Sequence, residues 1–487
     1  MRVQFASLFV SVVLTACVLP PKDAVHPQPL AAERVGLAGA ASEPAADGWW
    51  DSFRDPQLDR LIRLGLKDSP TLAQGQARVG EALAQAQSAQ AGLLPSANLD
   101  ASALYQRAPA NYVIPPPLAG HSFWMAQAGA SLGWDLDFWG RQADAVHRAQ
   151  AITQSARLDV DDARLMIAGA IAQAYIELYR EWALADIAER SATQRQHIID
   201  ITRRRVAAGL DTQLELRAAE GQLPQARVAR AQAQAAADLA VHQLATLTGQ
   251  GADAYASIGR PVLTVEAALP VPAALPINLL ARRPDVLSAR LGVDAADAGR
   301  LAAKAAFYPD VSLRALAGVG AFGLNNLVQG SARGYGAGPL ISLPLFDGGR
   351  LRAQYRGSEA QLDAAIAGYN DTVLRAVQQT SDQITRLDAL ARERLDQQQS
   401  LDATEAAYRL AEERYTAGLA SYLGVLNAET QVLNARQSMV DIQTSLAASR
   451  VTLLLAVGGS FDARTAADQA DARTPATSTE LVSRTKP

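Results

Sequence analysis

The chain has 487 residues, of which 49% are hydrophobic and 19% are charged, and its formal net charge at pH 7 is −4. This length suits about three average domains. A net charge so close to zero gives no reason to expect a nucleic-acid partner, and we predict none. The five histidines are scattered without metal-ligand spacing, and no group of residues forms a catalytic pattern. The sequence therefore predicts no metal, no cofactor and no enzyme activity.

Residues 1–16 read as a signal peptide, with Arg2 followed by an apolar run from Leu8 to Leu14. Leu14-Thr15-Ala16-Cys17 then resembles the bacterial lipobox, in which a signal peptidase cuts before the cysteine and the thiol is lipidated. Cys17 is the only cysteine in the chain, so no internal disulfide can form. We predict that Cys17 is the lipidation site. An ordinary signal peptide that happens to end near a cysteine is the alternative.

Residues 17–48 are rich in Pro, Ala and Gly and predict a lipidated linker. No later segment has the roughly 18 consecutive apolar residues that a membrane-spanning helix needs. If the chain crosses a membrane, we therefore expect strands to do so.

An internal repeat organises the rest of the chain. The segment Arg205-Val-Ala-Ala-Gly209-Leu210 is matched 209 residues later by Arg414-Tyr-Thr-Ala-Gly418-Leu419. Upstream, an offset of 214 residues pairs Pro70 with Pro284. Two halves with one plan are predicted, each reading helix, strand, strand, very long helix, long helix. The offset of 209 also pairs these residues: Glu220 with Glu429, Gly249 with Gly458, and Gly140-Arg141 with Gly349-Arg350.

Each half contains one segment that predicts an exceptionally long helix. Pro is absent from 118 to 223 and from 345 to 474, so nothing interrupts a helix over 141–208 or over 350–417. A helix of 68 residues would be about 100 Å long at ~1.5 Å per residue. Such lengths suit a tube or a coiled coil. The helices alone do not exclude a plain structural coiled coil. The apolar positions spaced for coiled-coil seams are Ile167, Ile171, Ala174, Leu178, Leu374, Val377, Ile384 and Leu387.

Four short segments predict strands, at 97–106, 124–134, 310–320 and 335–343. The segment 124–134 alternates apolar residues with small or polar ones, and Trp124 and Trp134 end the apolar face. Ten residues at ~3.3 Å each, tilted by ~40–45°, cover roughly 25 Å, which is the height of a lipid-facing band between aromatic girdles. We therefore predict that Trp124 and Trp134 form a membrane aromatic girdle. A small soluble sheet is the alternative.

Four strands cannot close a membrane barrel alone, because the smallest such barrels have about eight strands and an open edge in lipid leaves backbone groups unsatisfied. Two copies would give a barrel of about eight strands, which side chains fill. Three copies give twelve. The predicted fold is mainly α with a small membrane β-barrel portion. Each protomer supplies four transmembrane strands and long coiled-coil helices from an internal duplication, and the trimer forms a 12-stranded β-barrel joined to an α-helical barrel.

Several motifs resemble one family, the outer membrane factor (TolC-like) family. The lipobox and the Pro344–Arg350 motif further resemble NodT-type lipoproteins of RND (resistance-nodulation-division) efflux systems. The resemblance covers about residues 17–459. The motifs, besides the two Arg-x-x-x-Gly-Leu turns, are Trp49-Trp50 with Phe53-x-Asp55-Pro56-x-Leu58-x-x-Leu61-Ile62, Arg283-Pro284-Asp285-Val286, Phe307-Tyr308-Pro309 and Pro344-Leu345-Phe346-Asp347-Gly348-Gly349-Arg350.

The resemblance implies a homotrimer in the outer membrane, anchored by lipid and extending into the periplasm. It would bind a periplasmic adaptor (membrane fusion) protein and work with an inner-membrane RND transporter as a passive exit duct for drugs. The implied channel gate comprises Leu423, Asn427 and Tyr415. Asn427 stands where the family often has Asp, so no charged, cation-selective ring is expected there. The implied adaptor-contacting tips are Arg205, Gly209, Leu210, Arg414, Gly418 and Leu419.

The predicted domain plan follows the repeat. The first repeat spans 49–275, with a long hairpin at 137–249 and a collar segment at 250–275. The second spans 276–459, with its hairpin at 348–457, and 460–487 is a collar or disordered tail. Two rival functions remain open: an exit duct for a type I protein secretion system, and a lipid-anchored periplasmic coiled-coil scaffold.

Overall fold

A computed structural model describes residues 22–37, 40–41, 43–111, 115–266, 269 and 271–462. The predicted signal peptide, Cys17 and residues 463–487 of the predicted tail lie outside the described residues. Among the described helices, none combines the length and the apolar character that a membrane span requires. The longer helices are α1 (Pro56–Asp68), α2 (Pro70–Ala91), α3 (Arg141–Ala207), α4 (Gln213–Leu247), α5 (Pro284–Ala305), α6 (Arg350–Thr416) and α7 (Tyr422–Ala456), and a single helical turn spans Leu279–Arg282. The strands are β1 (Ser96–Arg107), β2 (Ser122–Leu136), β3 (Asp310–Phe322) and β4 (Arg333–Ser342).

The chain divides into two compact units. The first falls within Met1–Pro29, Arg78–Ala156 and Ala289–Tyr369, and the second within Leu30–Ala77, Arg157–Ser288 and Asn370–Pro487. Each unit therefore draws on both halves of the internal repeat. The strands belong to the first unit, and the turns of both helix hairpins belong to the second.

The first unit contains one antiparallel sheet with the strand order β1-β2-β3-β4. The fourth strand starts at Arg333 instead of the predicted 335, because Arg333 and Gly334 pair with Val319 and Gly318. Pro339 lies inside β4, opposite Leu313. Proline has no N–H to donate to a neighbouring strand, and within the protomer β4 has a neighbour, β3, on one side only.

The second unit is built around an apolar core that joins the start of α1 to the middle of α3. Pro56 begins α1, and the side chain of Asp55 caps it by accepting from Gln57 N. Leu58, Leu61 and Ile62 of α1 are almost completely buried. The residues packed together in this core include Trp49, Trp50, Phe53, Leu58, Leu61, Ile62, Ile167, Ile171, Ala174, Tyr175, Leu178, Leu263 and Leu269.

In each hairpin, a glycine follows the second helix, and the two glycines are related by the repeat. Gly249 follows α4 with φ +72°, and a Cβ there would lie 2.5 Å from the carbonyl oxygen of Asp68. Gly458 follows α7 with φ +96°, and a Cβ there would lie 2.0 Å from the carbonyl oxygen of Arg282. Asp68 and Arg282 are themselves 214 residues apart, the offset of the upstream repeat. The duplication is therefore visible as an equivalent backbone contact in both halves.

One predicted seam position in α6 is not buried. Leu374 is 53% exposed, whereas Val377, Ile384 and Leu387 pack partly buried against a cluster with Leu279 and Leu453. At this point the buried side of the helix passes through Val373 and Ala376, which are completely buried. The seam role of Leu374 stays a prediction, because only contacts within one protomer are described.

The segment that follows the predicted anchor runs along α6. Within the first unit, Asp23 contacts Lys304 Nζ at 2.8 Å and accepts a hydrogen bond from the Tyr355 hydroxyl at 2.8 Å. His26 Nδ1 lies 2.8 Å from Asp363 Oδ1. Within the second unit, Leu30 N donates to Asn370 Oδ1 at 2.8 Å. Residues 23–30 thus have fixed partners in α5 and α6.

Candidate functional site: the hairpin turns and the apolar sheet face

The two hairpin turns have the same backbone geometry. In the first, Gly209 has φ +72° and Leu210 N donates to the Arg205 carbonyl at 2.9 Å. In the second, Gly418 has φ +79° and Leu419 N donates to the Arg414 carbonyl at 2.8 Å. Glycine is the residue that adopts such a left-handed helix end without steric cost. The repeat in sequence therefore gives two equivalent turns.

The two turns are linked through Arg205, Asp211 and Tyr415. Arg205 Nε donates to Asp211 Oδ2 at 2.8 Å, and Arg205 Nη1 donates to the Tyr415 carbonyl at 2.9 Å. The Arg205 guanidinium also lies 4.7 Å from the centre of the Tyr415 ring. The Tyr415 hydroxyl donates to Asp211 Oδ2 at 2.7 Å and lies 2.7 Å from Thr202 Oγ1. Arg205 and Asp211, which pair within the first hairpin, therefore both hold it to Tyr415 of the second.

The electrostatics of this cluster favour its charged form. The hydrogen bond from Arg205 lowers the pKa of Asp211 below its usual value, and Asp211 in turn raises the pKa of Arg205. Burial, reinforced by the bond to Asp211, raises the pKa of Tyr415 to about 12. At neutral pH, Arg205 and Asp211 are therefore charged and Tyr415 keeps its proton.

The second turn lacks the acidic partner that the first one has. The position 209 residues after Asp211 is Ala420. Arg414 is exposed and forms no ion pair within the part of the chain that the structure describes. The two turns are thus alike in backbone and different in side-chain chemistry.

Two of the predicted gate residues share one exposed side of α7, and the third does not. Leu423 is 62% exposed and Asn427 is also exposed, one helical turn further on. Tyr415 is completely buried in the apolar cluster beneath the turns, where it packs with Tyr422 and Val425. Tyr415 therefore does not share the exposed side of α7 on which Leu423 and Asn427 lie.

Sequence reasoning missed two residues of this region. Asp211 could not be recognised because Tyr415, through which it reaches the other hairpin, is 204 residues away in sequence. Leu214 is 76% exposed and is the repeat partner of Leu423. The offset of 209 residues would have found Leu214.

The four-stranded sheet has one face that is apolar across every strand. The register places Tyr105 opposite Trp124, Leu99 opposite Ala130 and Trp134 opposite Leu313 on this face. The polar exceptions lie at strand ends, namely Arg107 opposite Ser122, and Arg333 at the start of β4. Many side chains on this apolar face are exposed, including Leu99 at 80% and Tyr335 at 90%. The residues of this apolar sheet face are Ala97, Leu99, Ala101, Ala103, Tyr105, Trp124, Ala126, Ala128, Ala130, Leu132, Trp134, Val311, Leu313, Ala315, Ala317, Val319, Ala321, Tyr335, Ala337, Pro339 and Ile341.

Most positions on the opposite face are polar or small, and the face carries an ion pair. Its large apolar residues are Leu104, Phe123, Met125, Leu316, Phe322 and Leu340. Asp100, Gln127 and Gly129 lie on it, and Arg314 Nη2 lies 3.1 Å from Asp135 Oδ1. An apolar face backed by a polar one is typical of strands with lipid on one side and water on the other.

The predicted girdle residues lie near the two ends of the apolar sheet face. The Trp124 ring contacts Tyr105 with a centroid distance of 5.4 Å. Trp134 Nε1 donates to the Leu93 carbonyl at 2.9 Å. Tryptophan and tyrosine with a satisfied polar edge are typical of a membrane–water interface. In the described part of the chain, no group of His, Cys, Asp and Glu could hold a metal ion.

Comparison with known families gives a match in both halves of the repeat. The profile of the family described as outer membrane efflux protein matches residues 61–250 and 275–459, which include all four strands and both hairpins. The chain belongs to the outer membrane efflux protein family. The predicted family, fold class, outer-membrane localisation and efflux role are thereby confirmed.

Several curated members of the outer membrane efflux protein family are similar to this chain. The multidrug resistance outer membrane protein MdtP of Escherichia coli K12 is 31% identical over 92% of this chain and 94% of its own length. The toluene efflux pump outer membrane protein TtgC of Pseudomonas putida is 30% identical over 95% and 97%. The fusaric acid resistance protein FusA of Burkholderia cepacia is 39% identical, and the match covers 66% of this chain and 61% of FusA.

Solved structures of outer membrane channels have the same fold. The outer membrane protein VceC of Vibrio cholerae superposes with a TM-score of 0.81 at 33% identity, over 86% of this chain and all of VceC. The CmeC outer membrane channel of Campylobacter jejuni gives a TM-score of 0.84 over 96% of this chain and all of that chain. CmeC is 20% identical and supports the fold alone.

Proposed function

We propose that this protein is the outer-membrane exit duct of a tripartite RND-type efflux pump and exports drugs and other small toxic compounds passively. The observation that carries the proposal is the family match over both repeats of a chain whose sheet has one apolar face. Relatives named for multidrug resistance and for toluene efflux support this substrate class. A protein secretion duct would share the architecture, but no feature of the site favours it.

The proposed assembly is a homotrimer. The sheet has four strands, and β1 and β4 are open edges that lipid cannot satisfy. Three copies bring these edges together in a barrel of 12 strands, with the apolar sheet face outward. The partners proposed for this trimer are a periplasmic adaptor protein and an inner-membrane RND transporter.

The hairpin turns are the proposed contact points for the adaptor, and the exposed side of α7 is the proposed gate. Leu210 and Leu419, at the two turns, are 65% and 79% exposed. Exposed leucines on a polar helix surface are suited to burial against a partner helix. Leu423 and Asn427 would constrict the bore where three copies of α7 meet.

The lipid anchor at Cys17 is proposed on the lipobox resemblance. The partners of Asp23 support it. Lys304 and Tyr355 hold this carboxylate, six residues after Cys17, at the C-terminal end of α5.

Deletion of the gene tests the exit-duct proposal. A strain without the protein should become at least several-fold more sensitive to amphipathic drugs, and wild-type protein should restore resistance. Co-purification from the complemented strain should recover an adaptor and an RND transporter. Recovery of an ABC exporter, together with loss of a secreted protein and unchanged drug sensitivity, would contradict the proposal.

Leu423→Ser tests the gate. A polar side chain in an apolar constriction admits water, so we expect the variant to increase the conductance of the purified protein in planar bilayers and to sensitise cells to large antibiotics. Leu214→Ser is the matched control, because Leu214 is the exposed repeat partner in the other hairpin. If both variants behave like wild type, the gate lies elsewhere.

A further inference from the structure

A cavity of about 430 Å³ lies in the first unit, where strand ends meet helix starts. Its lining includes Leu136, Asp310 and Ser342, which end β2, begin β3 and end β4. Leu136 follows Trp134 on the same side of β2, just beyond the apolar sheet face. The cavity therefore begins where the apolar band of the sheet ends, at the helix side.

Two repeat-related arginines line this same cavity, Arg141 at the start of α3 and Arg350 at the start of α6. Arg141 Nη2 lies 3.4 Å from Asp310 Oδ2, and both side chains are nearly half exposed, at 44% and 46%. Ion pairs of this kind contribute at most about 1 kcal/mol, so Arg141 can take a new partner at little cost. Arg350 Nη1 donates to the amide oxygen of Gln354 at 3.1 Å and has no ion pair among the described residues.

The helix N-termini themselves already have anionic partners. Asp137 Oδ2 accepts from Gln142 N and Ala143 N at the start of α3. Asp347 accepts from Gly349 N and Leu351 N at the start of α6. The guanidinium groups, rather than free backbone N–H groups, are therefore the donors available to a ligand in the cavity.

An aromatic pair in the cavity indicates its level relative to the membrane. Trp139 and Tyr308 both line it, and their rings stack with a centroid distance of 4.8 Å and an interplanar angle of 18°. Trp139 Nε1 donates to the Pro309 carbonyl at 2.8 Å. Amphipathic rings of this kind lie at the level of lipid headgroups.

We propose that this cavity binds the headgroup of phosphatidylethanolamine from the inner leaflet of the outer membrane. Arg141 and Arg350 donate to the phosphate, and Asp310, released from Arg141, accepts from the ammonium group. A lining with charges of both signs fits a zwitterionic headgroup better than a purely anionic one. The volume lies within the range of about 300–1,000 Å³ usual for ligand sites.

Native mass spectrometry of the purified, delipidated full-length protein tests this site. Phosphatidylethanolamine or phosphatidylglycerol is added in detergent, and lipid retained per assembly is measured. Wild type should retain phosphatidylethanolamine preferentially. Arg350→Gln should lose roughly tenfold in retention, because it removes charged hydrogen bonds, and Asp310→Asn should abolish the preference between the two lipids.

Arg352→Gln is the matched control, since Arg352 is exposed on the same helix and does not line the cavity. Equal retention by Arg350→Gln and Arg352→Gln, with unchanged melting temperatures, would overturn the site. Displacement of the lipid by an equal concentration of soluble phosphoethanolamine would overturn the assignment to a membrane lipid. The measurement needs no pump or adaptor, so its failure is distinguishable from failure of the export proposal.

Discussion

At the scale of single residues, Asp211 makes the first hairpin turn different from its copy. Its carboxylate accepts from Arg205 and from the Tyr415 hydroxyl, so it joins both hairpins of one protomer. The Arg205 and Asp211 side chains are only 12% and 8% exposed. Both residues are partly buried, so removal of one partner leaves the other incompletely solvated, at a cost below the about 3–5 kcal/mol of fully buried pairs.

Asp211→Asn should therefore loosen the hairpin turns. We expect a higher conductance in planar bilayers and greater sensitivity of cells to large antibiotics, with assembly unchanged. Asp200→Asn is the control, because Asp200 lies in the same hairpin, on α3, and its side chain is half exposed. If Asp211→Asn conducts no more than Asp200→Asn, the ion pair does not hold the turns.

The lowered pKa of Asp211 also predicts that acid weakens the contact between the hairpin turns. A carboxylate whose pKa is lower in the folded state stabilises that state above its unfolded pKa of about 3.9 and stops doing so as the pH falls through the folded value. Wild-type conductance should therefore be constant from neutral pH down to about pH 4 and rise below it. Asp211→Asn should lack this transition, and a wild-type profile that is flat to pH 3 would contradict the argument.

At the scale of elements, Gly249 and Gly458 hold the end of each hairpin against the backbone of an upstream segment. Both have positive φ, and neither has room for a Cβ beside the carbonyl of Asp68 or Arg282. Neither backbone oxygen can move without shifting the end of a helix. The same constraint thus acts in both halves of the chain.

Gly458→Ala and Gly249→Ala should each lower the melting temperature by at least several degrees, because strain of this kind costs about 1–3 kcal/mol before the close contact is added. Gly292→Ala is the control, since Gly292 lies inside α5 with nothing within 4 Å of the added Cβ. This control should be neutral or stabilising. Thermal unfolding followed by circular dichroism at 222 nm provides the measurement. Equal melting temperatures for all three variants would contradict the packing argument.

Local patterns predicted most elements, and tertiary contacts account for what they missed. Proline-free runs predicted the helices that became α3 and α6, and period-two alternation predicted the apolar sheet face. The burial of Tyr415 and the exposure of Leu374 depend on which helix packs beside them, which no local period reports. The link between Asp211 and Tyr415 likewise joins segments that are far apart in sequence.

At the scale of the whole molecule, membrane attachment has two proposed sources, the lipid at Cys17 and the apolar sheet face. Cys17→Ala, exported by a non-lipoprotein signal peptide, should therefore remain in the membrane fraction after an alkaline wash, because the strands hold it there. A lipid-anchored scaffold would be released by the same change. If the alkaline wash released the Cys17→Ala variant and left the wild-type protein in the membrane fraction, the proposed membrane β-barrel would be contradicted.

The two hairpin turns differ in formal charge, and this difference affects how a ring of partner subunits would dock on the proposed trimer. Residues 203–215, at the first turn, contain three arginines and two carboxylates, which gives a formal charge of +1. The equivalent residues 412–424, at the second turn, contain one arginine and two carboxylates, which gives −1. Around the rim of the proposed trimer, six tips therefore alternate in sign. Six identical partner subunits would meet two kinds of neighbour and would dock as three pairs, with the sixfold symmetry of the ring reduced to threefold.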